Sequence, residues 1–474
     1  MMFGKRCLAA LVQLGLPLTL AACGGSGGAP GASGDPVAIH TLAYVVSECR
    51  QKDNDYFGRQ ALVIRHGDGD PVTVAELPYD TVPLHPGAGY CERYGLFRQG
   101  SLAIYGGVFT RLATSPDGST VVFEETDDFS ELSHEFLTPE QRGIFVVRAD
   151  GTHLRKLDRP SRVGPVGAVP MSFSPDGRTI TFVDIGPSLT GDDAIQIVTL
   201  DLATGARTQV THLPPADPPS SGVFALGFLD NETIGFGSFA NPDGLNPEAK
   251  RLGFSVKADG SGLKVTTVGN VLLPGGIVPI FTITGDHPVA LTLTVSGAPS
   301  GPPHTDLTSV QEVFAFDGKN LLQLTNFGRT ETGRGALAGA DGEHVFFLAS
   351  ADPLGSNPTK NCQLFSIDRL GAALRQLTRF NRTELSEVGC DFYDDDPHGC
   401  ALELVGEDRI TQTLVFASAC DPADAKTQAE QIFAVHADGS GIRQLTTLRG
   451  LFYESDGTVH VELPGPIAYG PYRP

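Results

Sequence analysis

The chain has 474 residues, 55 acidic and 34 basic, for a formal charge of −21. That balance argues against nucleic acid or anionic headgroups as partners and fits solubility. Beyond the N-terminus no apolar run approaches the length of a membrane-spanning helix. Roughly 450 residues allow one large or two ordinary domains.

The first element is a leader. Lys5 and Arg6 give a positive start, Leu8 to Leu20 is almost wholly apolar, and Leu20-Ala21-Ala22-Cys23 closes it with small residues before a cysteine. This order predicts a signal peptide over residues 1–22. Leu-Ala-Ala-Cys resembles the lipobox of bacterial lipoproteins, which implies that Cys23 becomes the acylated N-terminus. Gly24 after that cysteine resembles the sorting signal for the outer membrane. Residues 23–37 are rich in Gly, Ser and Pro and cannot bury a core. They read as a tether, the twelve from Gly24 to Asp35 reaching roughly 20 Å. Loss of Lys5 and Arg6 with the leader takes the charge from −21 to −23.

From residue 38 onward one phrase recurs: an apolar strand, a turn with Gly, and a second strand often ending in Leu-Thr. A weaker copy comes first, at Ala61–Gly69 with Val72–Val74. Then come Ile144–Leu157, Ile195–Thr211, Phe254–Val265, Val313–Thr325, Leu364–Thr378 and Ile432–Thr446. The turn glycines 151, 205, 260, 318, 371 and 439 are 53 to 68 residues apart. An upstream hairpin accompanies each phrase. It is plainest at Ser115-Pro-Asp-Gly118 and Ser174-Pro-Asp-Gly177, where Pro presets the turn, Asp caps it and Gly closes it. Units of four short strands at this period predict an all-β fold, a β-propeller of four-stranded blades. His40–Val46 and Thr458–Leu463 are lone strands at the two ends. Pairing them closes a ring of seven blades without an open edge. Leu96–Tyr105 stands outside this parse, so an eight-bladed ring is the structural competitor.

The Ser-Pro-Asp-Gly turns and Gln-Leu-Thr strand ends, over about residues 40–470, resemble the WD40-like repeats of TolB-type propellers. The resemblance implies the fold. It implies little about activity, because such repeats occur in periplasmic binding proteins, peptidase propellers and some lyases. TolB-type proteins carry an N-terminal α/β domain, and here only a tether precedes the first strand.

Loops joining second and third strands share a face with the connections between blades. The parse places them at 47–59, 126–142, 184–193, 240–250, 297–310, 351–361 and 420–430, and long loops carry function. With Cys23 acylated, six exported cysteines remain: Cys49, Cys91, Cys362, Cys390, Cys400 and Cys420, all on this face. An even number in an oxidising compartment predicts disulfides. Matching positions in two blades pair Cys49 with Cys91 and Cys362 with Cys390, leaving Cys400 with Cys420. The competing pattern joins Cys390 to Cys400 and Cys362 to Cys420.

Catalytic motifs are scarce. Gly24-Gly-Ser-Gly-Gly28 matches Gly-x-Ser-x-Gly but lies in the tether, and His134-Glu135 lacks the second histidine of a zinc helix. Asp391, Asp394, Asp395 and Asp396 could hold a structural Ca²⁺, though not at EF-hand spacing, and otherwise form a solvated acidic loop. No other cofactor is expected. The sequence therefore points to a non-enzymatic, membrane-anchored scaffold in the periplasm or at the cell surface, engaging an envelope protein or glycan through its long-loop face. The alternative is a TolB-like propeller enzyme, a polysaccharide lyase or hydrolase with a central metal and histidine site.

Overall fold

A computed structural model describes residues 39–53, 55–78, 91, 109–126, 137–163, 171–215, 222–223, 225–247, 249, 252–265, 267–273, 276–281, 289–296, 309–316, 321–327, 332–338, 343–359, 361–380, 402–408, 411–418, 420 and 430–469. These residues form β-sheets with almost no helix. The first sheet holds β1 (Thr41–Lys52), β2 (Asp55–His66) and β3 (Val72–Pro78), joined by β29 (Gly450–Tyr453) and β30 (Val459–Tyr469) in the order β29-β30-β1-β2-β3. Next come β4 (Phe109–Thr114), β5 (Thr120–Glu125), β6 (Gly143–Arg148) and β7 (Arg155–Asp158). The third sheet is β8 (Ser172–Phe173), β9 (Thr179–Pro187), β10 (Asp193–Asp201) and β11 (Arg207–Gln209). The fourth is β12 (Ala225–Phe228), β13 (Thr233–Ser238), β14 (Leu252–Lys257) and β15 (Lys264–Val265). A two-stranded piece, β16 (Thr267–Leu273) with β17 (Gly276–Phe281), precedes a three-stranded sheet of β18 (Val289–Ser296), β19 (Ser309–Phe316) and β20 (Leu321–Gln323). Two further four-stranded sheets follow: β21 (Thr332–Ala338), β22 (His344–Ala349), β23 (Gln363–Asp368) and β24 (Arg375–Gln376), then β25 (Leu402–Asp408), β26 (Thr413–Ser418), β27 (Gln431–His436) and β28 (Arg443–Gln444).

This is a β-propeller of four-stranded antiparallel blades. The blade count departs from the seven expected: six sheets reach four strands among the described residues, and β18–β20 stops at three. The expectation of seven took each outer hairpin to have a full inner partner, whereas among the described residues β16–β17 stands as a separate pair and β18–β20 lacks a fourth strand. The expected pairing of chain ends is present. β1 runs antiparallel to β30 with Leu42 opposite Tyr469 and Gln51 opposite Val459. An unforeseen strand, β29, adds a fifth member to that sheet.

Strand alternation sends apolar side chains to both sides of each blade. Six hydrophobic clusters fill seams between successive sheets. Val121 and Phe123 meet Val45 and Leu62 between the first two, and Val415 and Ile432 meet Leu42 and Tyr44 between the last and the first. Four blades place phenylalanines opposite each other on their second and third strands: Phe123–Phe145, Phe236–Phe254, Phe347–Phe365 and Phe416–Phe433. Their rings stack at 5.4 to 5.6 Å. Each buried ring contributes about 2–3 kcal/mol of transfer free energy, with a further fraction from stacking.

The repeated phrases have structural causes. In the Ser-Pro-Asp-Gly turns, Ser115 Oγ donates to Asp117 Oδ1 and accepts Thr120 N–H, and Ser174 does the same with Asp176 and Thr179. Gly177 closes its turn at φ 71°, a value that favours glycine. In the inner turns the hydroxyls of Thr152, Ser261 and Ser440 bond Asp150, Asp259 and Asp438 and hold those carboxyls below the usual range. The Gln-x-Thr ending is also a device. Gln209, Gln323, Gln376 and Gln444 each donate from Nε2 to the backbone oxygen of the Thr two residues on.

Candidate functional site

The face carrying the second-to-third-strand tips is built from loops with one repeated frame. After β13 the chain reads Ala240-Asn-Pro-Asp-Gly-Leu-Asn-Pro247, and after β22 it reads Ala351-Asp-Pro-Leu-Gly-Ser-Asn-Pro358. Asn246 and Asn357 are buried. The N–H of Asn246 donates to Asn241 Oδ1, and that of Asn357 to Asp352 Oδ1, each at 2.6 Å. Their side-chain amides donate to the carbonyls of Phe239 and Ala240, and of Ser350 and Ala351, at 3.1–3.2 Å. Each asparagine thus replaces the backbone pairing lost where the strands part. The β9–β10 tip is shorter. Ser188 N–H bonds Asp192 O, and Thr190 bonds both Ser188 and Asp192.

Within these frames the tips differ, and each exposes one leucine: Leu189 at 72%, Leu245 at 40% and Leu354 at 49%. Sequence reading did not single these out. The spacing Ala-[Asn/Asp]-Pro-x-x-x-Asn-Pro, present at 240–247 and 351–358, was the available signal.

A raised hairpin stands on the same face of the first sheet. The expected loop at 47–59 is strand: β1 and β2 keep their antiparallel backbone ladder to Lys52–Asp55, leaving only the turn at its tip. The β29–β30 tip joins it through Lys52 Nζ and Asp456 Oδ2 at 2.7 Å, an exposed pair whose hydrogen bond holds Asp456 well below the usual carboxylate range. On the inner strands Arg449 lies 3.8 Å over the Phe452 ring, Phe452 stacks on His460 at 4.7 Å, and His460 Nε2 is 3.1 Å from Glu454. The Cys49–Cys91 disulfide anchors the base of this hairpin. It is buried beside Val461 and Leu463 and has Cα atoms 5.6 Å apart. Its pairing is the one expected.

Buried charge concentrates between the second and third blades. Arg111 and Glu124, both fully buried, bond at 2.9 Å, and Glu124 also accepts Ser161 N–H. Buried Asp184 accepts from Arg159 and from the N–H of Arg162, and pairs with the Arg207 guanidinium. Arg207 also bonds Asp158 at the end of β7, and burial lowers its pKa. This network ties one blade to the next.

The other expected residues divide by placement. Cys362 and Cys420 are buried and disulfide-bonded. Cys23, Cys390, Cys400, His134 and the aspartates 391, 394, 395 and 396 lie outside the described residues, as do most of the expected loops at 126–142, 297–310 and 420–430. Among the described residues no three His, Cys, Asp or Glu side chains gather as a metal group.

The fold and this face define a β-propeller with a structured loop face. Comparison with solved structures finds distant neighbours. The neighbours include the propeller domain of the Trilobed protease from Pyrococcus furiosus (10% identity over 73% of this chain and 86% of that one, TM-score 0.41). They also include an oligogalacturonate lyase in complex with manganese (11%, 84% and 96%, TM-score 0.44) and a TolB-type protein of Agrobacterium tumefaciens (14%, 66% and 94%, TM-score 0.34). They span enzymes and a TolB-like protein, and so select no activity. No protein-family model and no curated protein sequence matches the chain.

Proposed function

We propose that this protein is a non-enzymatic binding scaffold, anchored to the membrane of the cell envelope, that engages an envelope protein or glycan through its long-loop face. The observation that supports it is the rigid frame repeated at 240–247 and 351–358, which holds different exposed tips. A fixed frame with varied tips lowers the ordering cost of recognition. In this reading residues 1–22 are removed, Cys23 carries the lipid, residues 23–37 form the tether and residues 38–474 form the propeller. The protein then sits on the outer membrane, facing the periplasm or the cell surface, and the β1–β30 pairing closes the ring. The reading needs no cofactor; Asp391, Asp394, Asp395 and Asp396 form a solvated acidic loop, with a structural Ca²⁺ as the alternative.

Cys23→Ser tests the anchor. The protein should leave the membrane fraction and lose incorporation of labelled fatty acid; unchanged membrane retention would defeat the lipoprotein reading. Cys362–Cys390 and Cys400–Cys420 complete the disulfide set. Peptide mapping without reductant should recover both, and a Cys390–Cys400 peptide would replace this pairing with its competitor.

A further inference from the structure

We infer that the chain leaves the propeller toward its lipid anchor from the tight-turn face, so that this face is turned to the membrane and the long-loop face points away from it. The inference rests on the lipoprotein reading and adds the orientation in which the scaffold meets its partner. Contacts to two different turns place the start of the described chain on the tight-turn side. His40 O accepts the Gly67 N–H at 2.6 Å, where β2 turns toward β3, and Thr41 pairs with His66 there. Thr41 Oγ1 donates to Gly118 O at 2.5 Å, in the first Ser-Pro-Asp-Gly turn of the next blade. The His40 ring covers Gly118 so closely that a Cβ at that glycine would overlap it.

From that point β1 carries the chain across to the other face. It runs twelve residues, Thr41 to Lys52, which is roughly 36 Å at the rise of a strand. At its far end Lys52 meets Asp456 at the tip of the raised hairpin. β30 returns beside it and brings Tyr469 opposite Leu42, back on the tight-turn side. In the lipoprotein reading residues 24–38 link acylated Cys23 to this exit. A Gly- and Ser-rich linker of that length spans roughly 20 Å on average and about 50 Å at full extension. With the tight turns toward the membrane the linker keeps its ordinary span. With the long loops toward the membrane it would have to reach the rim of the blade and then descend the roughly 36 Å of β1, close to its full extension.

Charge does not set this orientation. The tight turns mix both signs, with Asp150 near Arg148 and Asp176 within 3.8 Å of Arg178. A span of roughly 20 Å also exceeds the ~8 Å over which salt screens a charged headgroup layer. The place of the exit selects the orientation, and the consequence falls on recognition. The strand ladders run from the tight turns to the tips, Thr179 to Pro187 in β9, Thr233 to Ser238 in β13 and His344 to Ala349 in β22. The loops that follow these strands therefore stand on the far side from the anchor. A partner that engages them stands off the anchoring membrane, and a ligand confined to the headgroups of that membrane does not reach them.

The test uses the acylated full chain in vesicles of phosphatidylcholine and phosphatidylethanolamine whose headgroups carry an energy-transfer acceptor. A donor fluorophore is attached through a non-natural amino acid at position 154 or 370, on the tight turns, or at position 189 or 354, on the long loops. All four replace exposed leucines, and two positions on each face keep the comparison intact if one variant folds poorly. Because the loops lie roughly 36 Å farther along the strands, transfer from 154 and 370 should exceed that from 189 and 354 by about three-fold or more. Repeating residues 24–35 within the linker should shrink that ratio. Equal transfer from the four positions, or more from the loops, would overturn this inference and leave the anchor standing. A ratio unmoved by the longer linker would also overturn it, since a headgroup contact and not the exit would then set the orientation. A chain that carries no lipid and stays off the vesicles would overturn the lipoprotein reading and this inference with it.

Discussion

In the β25–β28 blade the third strand starts at Gln431, whose Oε1 accepts from Thr446 Oγ1 at 2.7 Å and from Leu448 N–H at 3.0 Å. Its Nε2 donates to Leu448 O at 2.7 Å, and Thr446 Oγ1 accepts Ile432 N–H. Gln196 with Thr211 and Gln363 with Thr378 repeat the arrangement. The β4–β7 blade has Gly143 at that register position. A Cβ there would meet Asp158 O at 2.6 Å and Lys156 Cε at 2.7 Å, because β6 and β7 shift register at Ile144/Phe145. Opposite Gly143 stands Glu125, where the β25–β28 blade has Ser418 opposite Gln431. Glu125 is 6% exposed and makes no hydrogen bond or ion pair among the described residues. At this register position one blade closes a neutral network around Gln431. The other uses the Arg111–Glu124 ion pair and leaves a carboxyl uncompensated.

The largest expected effect breaks the charged blade. Arg111→Met leaves Glu124 buried against the Ser161 N–H without its guanidinium and should cost about 4 kcal/mol in denaturant unfolding. Adding Glu124→Met should recover most of that loss, since apolar side chains replace buried ion pairs at little cost. A single substitution below about 1 kcal/mol would mean that this pair is solvated, and the contrast would fail.

Next is the neutral blade. Gln431→Leu strands the buried Thr446 hydroxyl proton and both half-buried backbone groups of Leu448, and should cost about 2 kcal/mol. Thermal unfolding of this variant beside Gln444→Ala separates two glutamines close in sequence. Gln444 makes one partly buried bond and should cost under about 1 kcal/mol. Equal losses would show that the closed network adds nothing beyond single bonds.

How much of this was legible follows from what repeats. The Asp-Gly turns and the Leu-Thr endings could be read because backbone geometry demands the same residues in each copy. The role of Gln196, Gln363 and Gln431 could not be read, because one residue per blade bonds across more than a dozen positions. The departure of the β4–β7 blade was written in the sequence as Lys156-Leu-Asp158 where other copies have Gln-Leu-Thr. Pairing of the chain ends was legible from two lone strands, but β29 was not, since Gly450–Tyr453 gains its partner only from the protruding half of β30. The exposed leucines escaped notice because a single leucine in a loop carries no periodicity.

The last effect has the opposite sign and depends on pH. Burial pushes the Glu125 carboxyl up to about 7 from an ordinary 4.5, and nearby Lys156 pulls it only partly back. Between those values the folded chain keeps a proton that the unfolded chain has lost, so stability falls as pH rises through the window and is lowest above 7. The shift corresponds to about 3 kcal/mol at most, and residual solvent access brings the expectation to about 2 kcal/mol. Glu125→Gln keeps the shape and removes the charge. It should therefore be more stable than the wild type by about 2 kcal/mol at pH 8, with the advantage gone at pH 4, where both side chains are neutral. Taking the difference between variant and wild type at each pH cancels every other carboxylate that titrates in both. A difference of equal size at pH 4 and pH 8 would instead be a packing effect of the amide. A loss of stability at pH 8 would mean that the ionised carboxylate is held by a partner, and Glu125 would no longer distinguish this blade from the other.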